Sequence, residues 1–92
     1  LSNQVAREVL VVNRLGIHAR AAAKFVTLAS RFDAEIVVRN DRRTVNGKSI
    51  MGVMMLAAAR GTRIEIVAAG AEATSAVEEL AALIAARFGE EE

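Results

Sequence analysis

The stretch Thr62-Arg63-Ile64-Glu65-Ile66-Val67-Ala68 alternates between polar and apolar residues, with Ile64, Ile66 and Ala68 on one side. A strand with this period-two pattern lies in a sheet that is packed on one face and wet on the other. That constrains the rest of the chain. Three further strands can be read, over Ala6–Val12, Glu35–Arg39 and Arg43–Val45, with three helical segments between and after them. Four strands in the order βαββαβα cannot form an all-parallel sheet, because each parallel pair needs its own crossover. The expected fold is α/β of the α+β kind, an open-faced sandwich. A four-stranded antiparallel sheet is covered on one face by three helices. At 92 residues the chain is expected to be one domain, 1–92.

The helices have readable faces. The first should run from about Ala19 to Arg31, with Phe25, Leu28, Ala29 and Phe32 as its apolar stripe. Arg20, Lys24, Thr27 and Arg31 form a second, basic stripe, whose plain reading is a solvated face. Asn40-Asp41-Arg42 and Asn46-Gly47 read as turns. Ser49 then caps a short helix over Ile50-Met51-Gly52-Val53-Met54-Met55-Leu56. That helix is apolar nearly all round. Val53 and Leu56 are expected in the core, and some of Ile50, Met51, Met54 and Met55 must stay exposed. The third helix starts between Glu72 and Ser75, where Ser75 and Glu78 have capping-box spacing. Its stripe is Val77, Leu80, Ala81, Ile84 and Phe88, with Arg87 in the last turn and Gly89 as the C-cap. Glu90-Glu91-Glu92 reads as a frayed acidic tail. The first strand looks buried on both faces towards Val12.

Composition removes several function classes. There is no cysteine, so disulfides, thiol chemistry and cysteine metal sites are excluded. A single histidine with no carboxylate pair at ligand spacing argues against a metal site. Three phenylalanines are the only aromatic residues and the net charge is +1, which argues against nucleic-acid and anionic-membrane partners. No run is long enough to span a bilayer, and the N-terminus lacks a basic-then-apolar signal layout, so the expected compartment is the cytoplasm. The chain begins with Leu1 rather than methionine, which suggests trimming or an unusual start.

The one histidine lies in Gly16-Ile17-His18-Ala19-Arg20-Ala21-Ala22-Ala23-Lys24-Phe25-Val26, at the mouth of the first helix. A helix N-terminus offers unpaired N–H groups and a partial positive charge to an anion. An imidazole there can carry a phosphoryl group and have it stabilised at once. An arginine in a first turn opposes the helix dipole, which suggests that Arg20 has a use. The plain alternative is a structural or merely exposed histidine.

Gly16-Ile17-His18-Ala19-Arg20-x-Ala22-Ala23, followed by Asn46-Gly47-Lys48-Ser49-Ile50-Met51-Gly52, resembles the HPr family. These are the histidine-containing phosphocarrier proteins of the phosphoenolpyruvate-dependent phosphotransferase system. The resemblance covers nearly the whole chain. It implies a bacterial phosphoryl carrier with a phosphohistidine intermediate rather than an independent turnover enzyme, working without a cofactor. It also implies that His18, through Nδ1, accepts phosphate from phosphorylated enzyme I and passes it to EIIA domains. Arg20 would assist, and Ser49 would be the target of a regulatory serine kinase. Ile50, Met51 and Met54 would dock partners, flanked by Ala19, Arg20 and Lys24 beside the histidine. The protein is expected to act as a monomer. A second reading keeps the fold and makes the chain a regulatory member of the nitrogen- or carbon-regulation branch, acting mainly by binding partners. The family usually has proline where this chain has Ala21. A first-turn proline pre-sets the backbone, so alanine should cost about 0.4–1 kcal/mol of pre-organisation.

Overall fold

The computed structural model describes residues 4–92; the question raised by Leu1 lies outside the described residues. The elements run β1 (Gln4–Leu10), α1 (Ala19–Ala29), β2 (Glu35–Arg39), β3 (Thr44–Asn46), α2 (Ile50–Met54), β4 (Arg63–Ala69), α3 (Ala73–Ala85) and a 3-10 turn at Arg87–Gly89. The order is the βαββαβα expected from the pattern. The strands form one sheet in the order β1-β4-β2-β3, with every pairing antiparallel. β4 is central: Gln4 to Leu10 pair with Ala69 to Arg63 on one side, and Glu35 to Arg39 with Ala69 to Glu65 on the other.

The alternation in β4 sets the layers. Ile64, Ile66 and Ala68 are buried under the helices together with Ile36 and Val38 of β2. α3 packs on β1 and β4, α1 packs on α2 and α3, and α2 reaches β3. The opposite face carries Arg39 and Glu65, whose side chains pair at 2.6 Å. Nonpolar side chains lose contact with water on one face while charged ones keep it on the other, so the register cannot slip by one residue. No helix among the described residues is long and apolar enough to cross a membrane.

Several local expectations are corrected. β1 ends at Leu10 rather than Val12 and is an edge strand, not one buried on both faces; Leu10 is 41% exposed. α1 stops at Ala29, two residues short of Arg31, and its buried face is Ala21, Ala22, Phe25 and Ala29. Leu28 and Phe32 are only half-buried at the margin. Counting bulky residues misplaced the stripe, because small alanines carry the closest contact with the core. β3 is shifted by one residue, to Thr44–Asn46. The Ser75–Glu78 capping box does not form: α3 starts at Ala73 after Glu72, and Ser75 lies exposed inside it. Glu72 instead accepts a hydrogen bond from the Asp33 N–H at 2.6 Å, tying the start of α3 to the α1–β2 connection.

The largest correction is at the C-terminus. α3 ends at Ala85, before Arg87 and well before Gly89. Three consecutive residues then adopt left-handed backbone: Arg87 (φ 60°), Phe88 (φ 54°) and Gly89 (φ 80°). Such angles are unfavourable for residues with a Cβ. They persist here because they turn the chain back and bury Phe88 completely, at 1% exposure. The acidic tail is not frayed. It forms a hook against the start of α1.

Candidate functional site

Gly16 makes the approach to the site possible. Its φ is +68°, and a Cβ there would lie 2.5 Å from the Ala58 carbonyl oxygen. With no side chain in the way, Ile17 N–H donates to that oxygen at 2.9 Å. The loop before α1 is thereby pinned to the segment that follows α2. Asn13, fully buried, donates through Nδ2 to the Gly16 carbonyl at 2.8 Å and braces the same loop.

His18 is the N-cap of α1, with extended backbone, and its Nδ1 accepts a hydrogen bond from Arg20 N–H at 3.2 Å. Capping by an imidazole nitrogen requires that nitrogen to be unprotonated. The ring proton then sits on Nε2, which donates to Glu90 Oε2. The two bonds together select one neutral tautomer, with a lone pair on Nδ1 facing the helix mouth.

The donors around Nδ1 follow from the helix start. Ala22 N–H bonds the His18 carbonyl at 2.8 Å and is the first amide bonded within the helix. The amides of Ala19 and Ala21 find no acceptor among the described residues. Ala21 is fully buried. In place of proline it carries an N–H that proline lacks, but that amide is shut away from the mouth with the rest of the residue. The Arg20 guanidinium is exposed and makes no hydrogen bond or ion pair among the described residues. A cleft of about 500 Å³ lies here, lined by Arg14, Leu15, His18, Arg20, Lys24 and the hook.

Glu90 is the site residue that sequence reading missed. Its Oε1 accepts from Asn13 Nδ2 at 3.0 Å while Oε2 takes the His18 Nε2 proton. The carboxyl is held below its ordinary value of 4.5, first by the Asn13 hydrogen bond and then by that of His18, against partial desolvation. Lys24 is also repositioned by the hook: its Nζ donates to the Phe88 carbonyl at 2.6 Å rather than projecting free from the basic stripe. Arg14 pairs with Glu92 at 2.9 Å and clips the last residue. The only sequence signal for this hook was Phe88-Gly89, an aromatic and a glycine between a helix and an acidic end.

In the second motif, the expected cap and burial pattern are present. Ser49 Oγ accepts from Gly52 N–H at 3.0 Å and caps α2. Val53 and Leu56 are buried, while Met51 is 70% exposed and Ile50, Met54 and Met55 are also exposed. Leu15, beside His18, is exposed as well. Since α2 packs against α1, and Ala58 bonds Ile17, this apolar patch lies on the His18 side of the domain. Among the sequence candidates, Ala19, Arg20 and Lys24 are grouped with His18 at the helix mouth, and Ile50, Met51 and Met54 with Ser49 on the neighbouring helix.

Fold and site define a class: an open-faced α+β sandwich whose first helix is capped by a histidine. Within that class the comparisons are specific. The family model for the PTS HPr component phosphorylation site matches residues 5–86. Phosphocarrier protein HPr of Neisseria meningitidis is 54% identical over 83 residues, covering 89% of this chain and 92% of that protein. The HPr of Pseudomonas putida is 48% identical over 88 residues, covering 95% and 98%. The crystal structure of HPr-C-His from Thermoanaerobacter tengcongensis superimposes with a TM-score of 0.91 at 40% identity, covering 96% of this chain and 99% of that one. The chain belongs to the HPr family of phosphocarrier proteins of the bacterial phosphotransferase system.

Proposed function

We propose that the chain, as a single phosphocarrier domain acting in the cytoplasm, accepts a phosphoryl group on His18 Nδ1 from phosphorylated enzyme I and delivers it to EIIA domains. The observation that carries this reading is the capping bond. Nδ1 is unprotonated and aimed at a helix N-terminus, with Nε2 already engaged. In the transfer the Nδ1 lone pair forms the bond to phosphorus while the donor's bond to phosphorus breaks, its electron pair staying with the donor. The exposed Ala19 amide and the Arg20 guanidinium then face the new phosphoryl oxygens. The group is met by few fixed contacts, as a carrier that must release it requires. The exposed patch of Ile50, Met51 and Met54 serves as the partner-docking centre, with charge from Arg20 at its rim. A serine kinase acting on Ser49 would place a dianion at the α2 N-terminus, beside that patch, and so disturb docking rather than folding.

Incubation with enzyme I and labelled phosphoenolpyruvate tests the reading. The wild type should take up an acid-labile, base-stable label and pass it to an EIIA domain, which separates a carrier from a module that only binds. Arg20→Ala should slow both steps, and His18→Ala should take up none. Acid-labile labelling of a folded His18→Ala protein would refute it.

A further inference from the structure

The hook contributes a charged group directly to the imidazole, and the reason for that contact lies in the chemistry of the ring. A neutral imidazole has two tautomers, and either nitrogen can be the nucleophile. When Nδ1 bonds phosphorus while Nε2 keeps its proton, the ring takes on positive charge. When the phosphoryl group leaves, the electron pair of the Nδ1–P bond returns to the ring and the charge disappears. A carboxylate on Nε2–H therefore matters twice: with the Arg20 N–H on Nδ1 it selects which nitrogen reacts, and it faces the charge that comes and goes.

Glu90 is held for that task from three directions. Asn13, buried and braced on Gly16, bonds its second oxygen at 3.0 Å. Phe88 anchors the chain two residues earlier, with its carbonyl fastened by Lys24 at 2.6 Å. The Arg14–Glu92 pair closes the hook beyond it. The His18 and Glu90 side chains are 29% and 22% exposed, so their pairing is only partly screened by solvent.

We propose that Glu90 is the positioning residue of the phosphoryl-acceptor histidine. Its carboxylate holds the proton on His18 Nε2, confines the nucleophilic lone pair to Nδ1, and balances the positive charge of the phosphorylated ring. This rests on His18 being the phosphoryl acceptor, so the test includes a donor that needs no protein partner.

Three proteins serve: the wild type, Glu90→Gln, whose amide oxygen still accepts from Nε2 but carries no charge, and Glu90→Ala, which does neither. Imidazole 15N shifts report the tautomer in the unphosphorylated protein. Phosphoramidate supplies a small phosphoryl donor, and 31P spectra distinguish the Nδ1 from the Nε2 product. The wild type should show the Nε2–H tautomer and react at Nδ1. Glu90→Gln should keep tautomer and regiochemistry but accept phosphate from enzyme I about tenfold more slowly. Glu90→Ala should show mixed tautomers and a second product at Nε2. Glu91→Gln, whose exposed side chain makes no contact with the site, should match the wild type. Unchanged 15N shifts and a single Nδ1 product in Glu90→Ala would overturn the positioning role. A Glu90→Gln rate equal to the wild type would overturn the charge role. Should the wild type react with phosphoramidate as described yet take nothing from enzyme I, the carrier reading falls and the positioning of the ring stands.

Discussion

Phe88→Ala separates two descriptions of the hook, a latch and a keystone. Phe88 is 1% exposed, and burying such a side chain contributes about 1.5–3 kcal/mol. Against it stand Arg87 and Phe88 itself, in left-handed backbone at φ 60° and 54°, each costing about 1–2 kcal/mol. The aromatic burial and the strain are of equal size, so the hook stays closed only with help from the bonds of Lys24, Asn13 and Arg14. With the ring removed, the strain is no longer offset and the hook should open. Because the hook follows α3 and pairs with no strand, it can open without unfolding the sheet. The loss of global stability is then capped near the hook's own docking energy, about 2 kcal/mol, rather than the 3–5 kcal/mol of a Phe→Ala change in a closed core. For a domain of this size about 2 kcal/mol lowers Tm by roughly 8–16 °C. Urea melts give the stability, and hydrogen exchange at Gly89 and Glu90 gives the state of the hook. A loss of 4 kcal/mol or more, with those amides still protected, would refute the latch and make Phe88 a keystone of the core.

Two further outcomes are expected. Met51→Glu changes a side chain that is 70% exposed, so stability should move by less than about 0.5 kcal/mol, while affinity for enzyme I and for an EIIA domain falls together by ~1–3 kcal/mol in parallel titrations; loss of stability with unchanged affinity would place the docking centre elsewhere. Glu90 has its folded-state pKa depressed below 4.5, so its contribution to stability is complete above that value and is lost as pH falls through the lower, folded-state one; denaturation midpoints of wild type and Glu90→Gln should therefore converge from about pH 5 downwards, and parallel curves would show that the carboxylate is not engaged in the folded state.

Much of this protein is local, and local features are legible. The alternation in β4 requires one packed and one wet face whatever surrounds it. Ser49 has the oxygen that the α2 amides need, and His18 its place immediately before a run of helix formers. Neither depends on a distant residue, and Ser49 as N-cap and His18 at the helix mouth appear in the structure as read. The buried face of α1 was misjudged because hydrophobic patterning weighs bulk, whereas Ala21 and Ala22 are buried for being small enough to let the helix approach. The partner of His18 could not be read at all. Glu90 reaches it from 72 positions away, through three left-handed residues and a buried phenylalanine. Sequence pattern records the preferences of neighbours along the chain. The return of the C-terminus to the start of α1 is decided by packing in three dimensions, where Phe88, Asn13 and Lys24 together outweigh a backbone strain that local propensity would have avoided.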